Sequence, residues 1–71
     1  MEKYIVRADF YPNGRIIPLG ITDETGNTMF VNKIKDNRIN SKNEFEFDCI
    51  IDEIDMLLIF KNGKWICTEK N

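Results

Sequence analysis

Turn signals recur along this chain at close, even intervals. Pro12-Asn13-Gly14, Asp23-Glu24-Thr25-Gly26 and Asn62-Gly63 each contain a residue that tolerates positive φ, as tight hairpins require. Short segments rich in Ile, Val, Phe, Tyr and Thr run between them. Punctuation at roughly ten-residue spacing is the pattern of an antiparallel all-β domain. At 71 residues the chain has room for one domain and one core, and it shows no internal repeat, linker or low-complexity tract.

The turns also fix a register. If Asn62-Gly63 is a two-residue turn, Lys61 faces Lys64, Phe60 faces Trp65 and Leu58 faces Cys67. With Asp52-Glu53 as the preceding hairpin tip, Cys49 faces Met56, Phe47 faces Leu58 and Phe45 faces Phe60. Side chains alternate across a strand, so one face collects Phe45, Phe47, Cys49, Met56, Leu58, Phe60, Trp65 and Cys67. Every member is apolar. In the first half, a loop at Pro12–Arg15 leaves Tyr11 facing Ile16, Phe10 facing Ile17, Ala8 facing Leu19 and Val6 facing Ile21. A three-residue loop ending in Gly26 sets Ile21 opposite Met29 and Leu19 opposite Val31. The shared apolar face is then Tyr4, Val6, Ala8, Phe10, Ile17, Leu19, Ile21, Met29 and Val31. Pro18 falls on the other face, and its missing N–H predicts an edge or a bulge.

Two three-stranded units with one apolar face each must cover one another. The economical result is a small barrel of five or six short antiparallel strands, SH3-like first and OB-like second, with residues 34–43 as a long, poorly ordered loop. A competing helical stripe runs through Phe47, Ile50, Ile51, Ile54, Leu57 and Leu58, with Ser41-Lys42-Asn43-Glu44 as a capping box. Strict alternation over residues 44–49 and the Asn62-Gly63 turn favour strands.

Composition narrows the chemistry. The chain has no His, which removes the commonest general base and metal ligand, and its formal charge is −2. Two cysteines, Cys49 and Cys67, make no disulfide framework, so a reduced cytoplasmic setting is expected, without a signal segment or membrane span. The register separates the two by an intervening strand, roughly 9–10 Å, too far for a disulfide, and both read as small core hydrophobes. No phosphate-cradling glycine motif, nucleophile elbow or metal-ligand spacing is present, and the single Ser41 has no His to activate it. The expectation is a chain that is not an enzyme and takes no cofactor or metal.

Three surfaces remain. Glu44, Glu46, Asp48, Asp52, Glu53 and Asp55 place six carboxylates in residues 44–55 with no basic residue among them, which reads as a solvated strand face with Glu44 near Lys61 and Lys64. Three of them alternate along one strand, too few oxygens for a calcium cage. The preceding stretch is basic, with Lys33, Lys35, Arg38 and Lys42 against Asp36. Together with Arg7, Arg15, Tyr11 and Phe30 it forms a candidate basic surface of the kind that binds single-stranded nucleic acid, although an isoelectric point near 5.0 weighs against that partner. Finally, Leu57, Ile59 and Ile66 fall together on the outer face of the second half, either covered by the 34–43 loop or exposed as a surface for a partner or a second copy. A non-enzymatic module that binds another protein or itself is the expected function, acting through the 34–43 loop and neighbouring outer-face residues, with single-stranded nucleic acid as the alternative partner.

The stretch from Val6 to Leu19, containing Phe10-Tyr11-Pro12-Asn13-Gly14-Arg15-Ile16-Ile17-Pro18-Leu19, followed by Ile21-Thr22-Asp23-Glu24-Thr25-Gly26, resembles the opening of a family of small uncharacterised proteins of Gram-positive anaerobic bacteria. In the second half Phe47-Asp48-Cys49, the Asp52-Glu53 tip, Leu57-Leu58-Ile59-Phe60 and Lys64-Trp65 look like the family's aromatic-x-Cys, hairpin turn, aromatic-rich strand and Arg-Trp. The middle departs from the family, whose basic segment is longer than Arg38-Ile39-Asn40-Ser41-Lys42. The resemblance implies a hairpin across residues 44–60 and no particular activity.

Overall fold

The computed structural model describes residues 4–70 as six antiparallel strands. They are β1 (Ile5–Phe10), β2 (Ile16–Thr22), β3 (Thr28–Ile39), β4 (Phe45–Ile51), β5 (Ile54–Lys61) and β6 (Lys64–Glu69). The described residues contain no helix, and the strands follow one another in the sheet in chain order. Each strand is joined to the next by a tight hairpin, and the loop chemistry shows why. Asp52 and Glu53 (φ 52° and 65°) and Asn62 and Gly63 (φ 51° and 75°) form two-residue turns with both central residues left-handed, the twist that continues into paired strands.

The other three loops have three residues each and close on left-handed Gly14, Gly26 and Asn43. Side chains brace all three, the first through the Arg15 N–H donating to the Asn13 side-chain oxygen at 3.0 Å. The Asp23 carboxylate accepts from the backbone N–H groups of Thr25 and Asn27 and from the Thr25 hydroxyl at 2.7 Å. The Asn40 carbonyl accepts from the N–H groups of Lys42 and Glu44, while its amide donates to the Glu44 and Glu46 carboxylates. The capping-box residues Ser41–Glu44 therefore belong to a hairpin loop, and the helical alternative is overturned by β4 and β5.

The sheet bends as β3 passes from pairing with β2 through Phe30 to pairing with β4 from Val31. That bend lays the first half over the second. Ile21, Phe47, Cys49, Ile51, Met56 and Leu58 form the buried core, and Tyr4, Val6, Ile16, Met29, Val31 and Trp65 pack against it. Side chains join the two ends of the sheet: the Phe10 ring on β1 meets Phe60 on β5 at 5.4 Å, and the hydroxyl of Tyr4, just before β1, donates to Glu69 on β6 at 3.3 Å. The fold is the expected small all-β barrel, present as a curled half-barrel and consistent with an SH3-like or OB-like form.

Register in the second half is as the turns dictate, with Cys49 opposite Met56, Phe45 opposite Phe60 and Leu58 opposite Cys67. The first half differs. Pro12-Asn13-Gly14 closes with the Tyr11 N–H donating to the Arg15 carbonyl, so Phe10 faces Ile16 and Ala8 faces Pro18 rather than Leu19. A bulge at Leu19 restores the register at Val6 opposite Ile21. Pro18 is consequently buried, Leu19 turns outward, and Phe10 is 57% exposed.

Residues 34–39 also differ from expectation. They are not loop but the second half of β3, and the loop proper is only Ser41–Asn43. The polar Asn37 takes an inner position opposite Phe47, and the extra residue Lys35 between Ile34 and Asp36 breaks the two-residue period, so local alternation is faint there. Pairing with β4 and ion pairs across the strands make the strand instead.

Candidate functional site

β2 and β3 share only three paired positions, Gly20 with Phe30, Ile21 with Met29 and Thr22 with Thr28. Beyond them the strands part. Between the start of β2 and the far half of β3 lies a groove of about 410 Å³, with Ile16, Ile34, Ile39, Phe45 and Phe47 among its lining residues. Ile39 pairs with Phe45 on the inner face, yet it is 61% exposed because nothing among the described residues covers that end of the interior.

The ladder pattern shows which backbone groups face this gap. The Asn40 N–H donates to the Glu44 carbonyl, closing the β3–β4 hairpin. Bonded pairs alternate in an antiparallel ladder, so Arg38 with Glu46 and Asp36 with Asp48 are the next bonded positions. Asn37 and Ile39 then direct their N–H and C=O groups away from β4, toward the groove. On the other wall, the Tyr11–Arg15 closure makes Asp9 with Ile17 a bonded pair, which turns Ile16 and Pro18 toward the same gap. Proline is accommodated in an inner strand here because its missing N–H falls where β2 has no partner.

Charge around the groove is asymmetric. Its charged lining residues are Arg15 and Arg38. Arg38 is heavily engaged, reaching Asp36 at 3.1 Å, Glu46 at 2.9 Å and Asp48 at 3.0 Å. Lys70 holds the other Asp48 oxygen at 2.7 Å. The bond from Lys70, followed by that from Arg38, keeps the Asp48 carboxyl below its usual pKa. Lys35 pairs with Asp55 at 2.6 Å, and Lys61 lies 3.8 Å from Glu44. The basic 33–42 stretch and the acidic 44–55 stretch thus meet through Lys35 and Arg38, which pair with carboxylates on β5 and β4.

The six basic residues singled out in the sequence are spread over β1, β3 and two loops, and of them Arg15 and Arg38 line the groove together. Arg7 sits on β1 in a row with Gly20 and Phe30, Arg15 at the first loop, Lys33 at the bend of β3 and Lys42 in the third loop. Lys35 and Arg38 are committed to carboxylates. Leu57, Ile59 and Ile66 do come together on the convex face, where Ile59 is opposite Ile66 and Leu57 opposite Thr68. Leu57 and Ile59 are half-buried and Ile66 is 38% exposed. The 34–43 segment does not fold over them, since residues 34–39 lie within the sheet as part of β3.

Cys49 and Trp65 belong to the core and the packing around it. Cys49 is a buried free thiol, and burial, reinforced by the Asp48 charge, pushes its pKa up to about 11. A thiol held protonated in this way is a poor nucleophile. Trp65 lies 4.9 Å from Phe60 and 5.9 Å from Phe47, as part of the aromatic packing rather than a platform. Among the described residues no group of three or more Cys, Asp or Glu is placed to hold a metal ion, and no helix is long and apolar enough to cross a membrane. No family model, curated protein or solved structure matches the chain.

The groove was not foreseen from sequence. It depends on where β2 and β3 separate, and the only local sign of it is Pro18.

Proposed function

We propose that this chain is a non-enzymatic interaction module of the cytoplasm that binds another protein in the groove between β2 and β3. The observation that carries this reading is the parting of the two strands after three paired positions, which leaves an apolar interior surface uncovered beside two open strand edges. Concave, mostly apolar sites with a few polar groups are where partners are held most effectively. Open edges are otherwise a hazard that proteins cover or pair. Of the convex Leu57–Ile59–Ile66 surface, two of the three members are already half-buried. Single-stranded nucleic acid is the weaker alternative, because Lys35 and Arg38 are occupied by carboxylates and the net charge is −2. Membership of the family that its turns resemble accompanies this proposal without adding an activity to it.

Site-specific photocrosslinking tests the reading. A photoreactive residue at position 37 samples the groove, and one at position 66 samples the convex face. Irradiation in lysate from the native cells, with and without nuclease, is expected to give a discrete protein adduct from position 37 that nuclease leaves intact. Adducts from position 66 alone, or adducts abolished by nuclease, count against the groove. Steady turnover of a substrate by the purified chain counts against a binding module altogether.

A further inference from the structure

We infer that the groove takes an acidic, extended segment of a partner protein as an added strand along the open edge of β3; the inference rests on the interaction-module reading above. Asn37 and Ile39 supply the edge, because the β3–β4 ladder leaves their N–H and C=O groups directed at the groove. An incoming strand satisfies both residues through its main chain, the usual source of affinity in strand addition. Its alternate side chains then point inward, against Ile34, Phe45 and Phe47, and supply the sequence preference. The opposite wall does not take up these bonds, since β2 pairs with β3 only at residues 20–22.

Charge selects the kind of segment. No carboxylate lines the groove, and its two charged lining residues are both arginines. Arg38 is shared among three carboxylates, whereas Arg15 has no ion-pair partner among the described residues. Arg15 is exposed at the rim, next to Ile16, where a bound strand would pass. A partner segment with alternating apolar residues and a carboxylate near one end matches this arrangement. A basic segment would meet Arg15 without compensation.

A random twelve-residue peptide library displayed on phage, panned against the full chain, identifies a probe that can be synthesised and titrated. The expected result is enrichment of alternating apolar sequences carrying Asp or Glu. The synthetic peptide should slow amide hydrogen exchange at Asn37 and Ile39, and Arg15→Ala should weaken its binding by about two- to fivefold, as loss of one exposed ion pair does. Arg15 lies in an exposed position, and a circular dichroism melt confirms that the variant is folded. A peptide that binds the groove equally well with and without Arg15 overturns the acidic preference. One that leaves the exchange of Asn37 and Ile39 unchanged and perturbs Leu57, Ile59 and Ile66 overturns strand addition while leaving an interaction module in place. Failure to enrich any sequence overturns both readings.

Discussion

Leu58→Ala and Ile39→Ala separate what holds the fold from what the groove displays. Leu58 is fully buried at the centre of the core, opposite Phe47 on one side and Cys67 on the other. Truncating it removes buried methyl groups and leaves a cavity in a sheet too rigidly bonded to collapse, at a cost of about 2–5 kcal/mol. A single-core domain of this length has roughly 3–5 kcal/mol of total stability, so the variant should be close to unfolding at room temperature. Ile39 is 61% exposed on the inner face at the mouth of the groove. Its truncation forfeits little burial and should cost no more than about 1 kcal/mol. Thermal melts followed by far-ultraviolet circular dichroism read the difference, with 1 kcal/mol corresponding to about 4–8 °C in a domain this size. Leu58→Ala should lower the midpoint by about 10 °C or more, and Ile39→Ala by no more than about 8 °C. Equal losses would refute the reasoning, because they would mean that Ile39 is covered in solution and that the groove does not exist in the free chain.

Three further outcomes follow from individual residues. At Gly20 an added Cβ would sit 2.7 Å from the Met29 carbonyl oxygen, so Gly20→Ala should destabilise the β2–β3 junction by about 1–3 kcal/mol, measured by urea unfolding. Glu53 holds φ at 65° without being glycine, and Glu53→Gly should raise stability by a few tenths to about 1 kcal/mol in the same assay. Asp48 has its pKa lowered by Lys70 and Arg38, so its stabilising contribution is present above the ordinary carboxylate pKa of 3.8 and is lost as pH falls through the lower folded value. Asp48→Asn should therefore flatten the acid limb of a stability–pH profile below about pH 4, and an unchanged limb would contradict the ion-pair network.

Much of the sheet was legible because its turns are short and chemically distinct. Asp52-Glu53 and Asn62-Gly63 admit only two-residue loops, and a two-residue loop fixes which residues face each other across β4, β5 and β6. Pro12-Asn13-Gly14 was more ambiguous, since one residue more or less in the loop reverses the faces of a whole strand. The chain uses the shorter loop and recovers the outer register with a bulge at Leu19. That exchange buries Pro18 and exposes Leu19. Residues 34–39 carried too little apolar alternation to read as strand. Their pairing comes from carboxylates on β4 and β5 that are distant in sequence from Lys35 and Arg38. Opposite charge in adjacent segments thus marked two strands lying side by side, not two separate binding surfaces. The groove has no local signature beyond Pro18, because its existence depends on how far β2 and β3 stay together.

Amide hydrogen exchange along β3 in the free protein, read residue by residue by nuclear magnetic resonance, tests the open edge directly. The ladder makes Asp36, Arg38 and Asn40 the protected positions and leaves Asn37 and Ile39 facing the groove. Slow exchange at residues 36, 38 and 40 alternating with fast exchange at 37 and 39 is the expected result. Uniform protection from 36 to 40 would mean that the edge is already paired and would remove the basis for a partner strand.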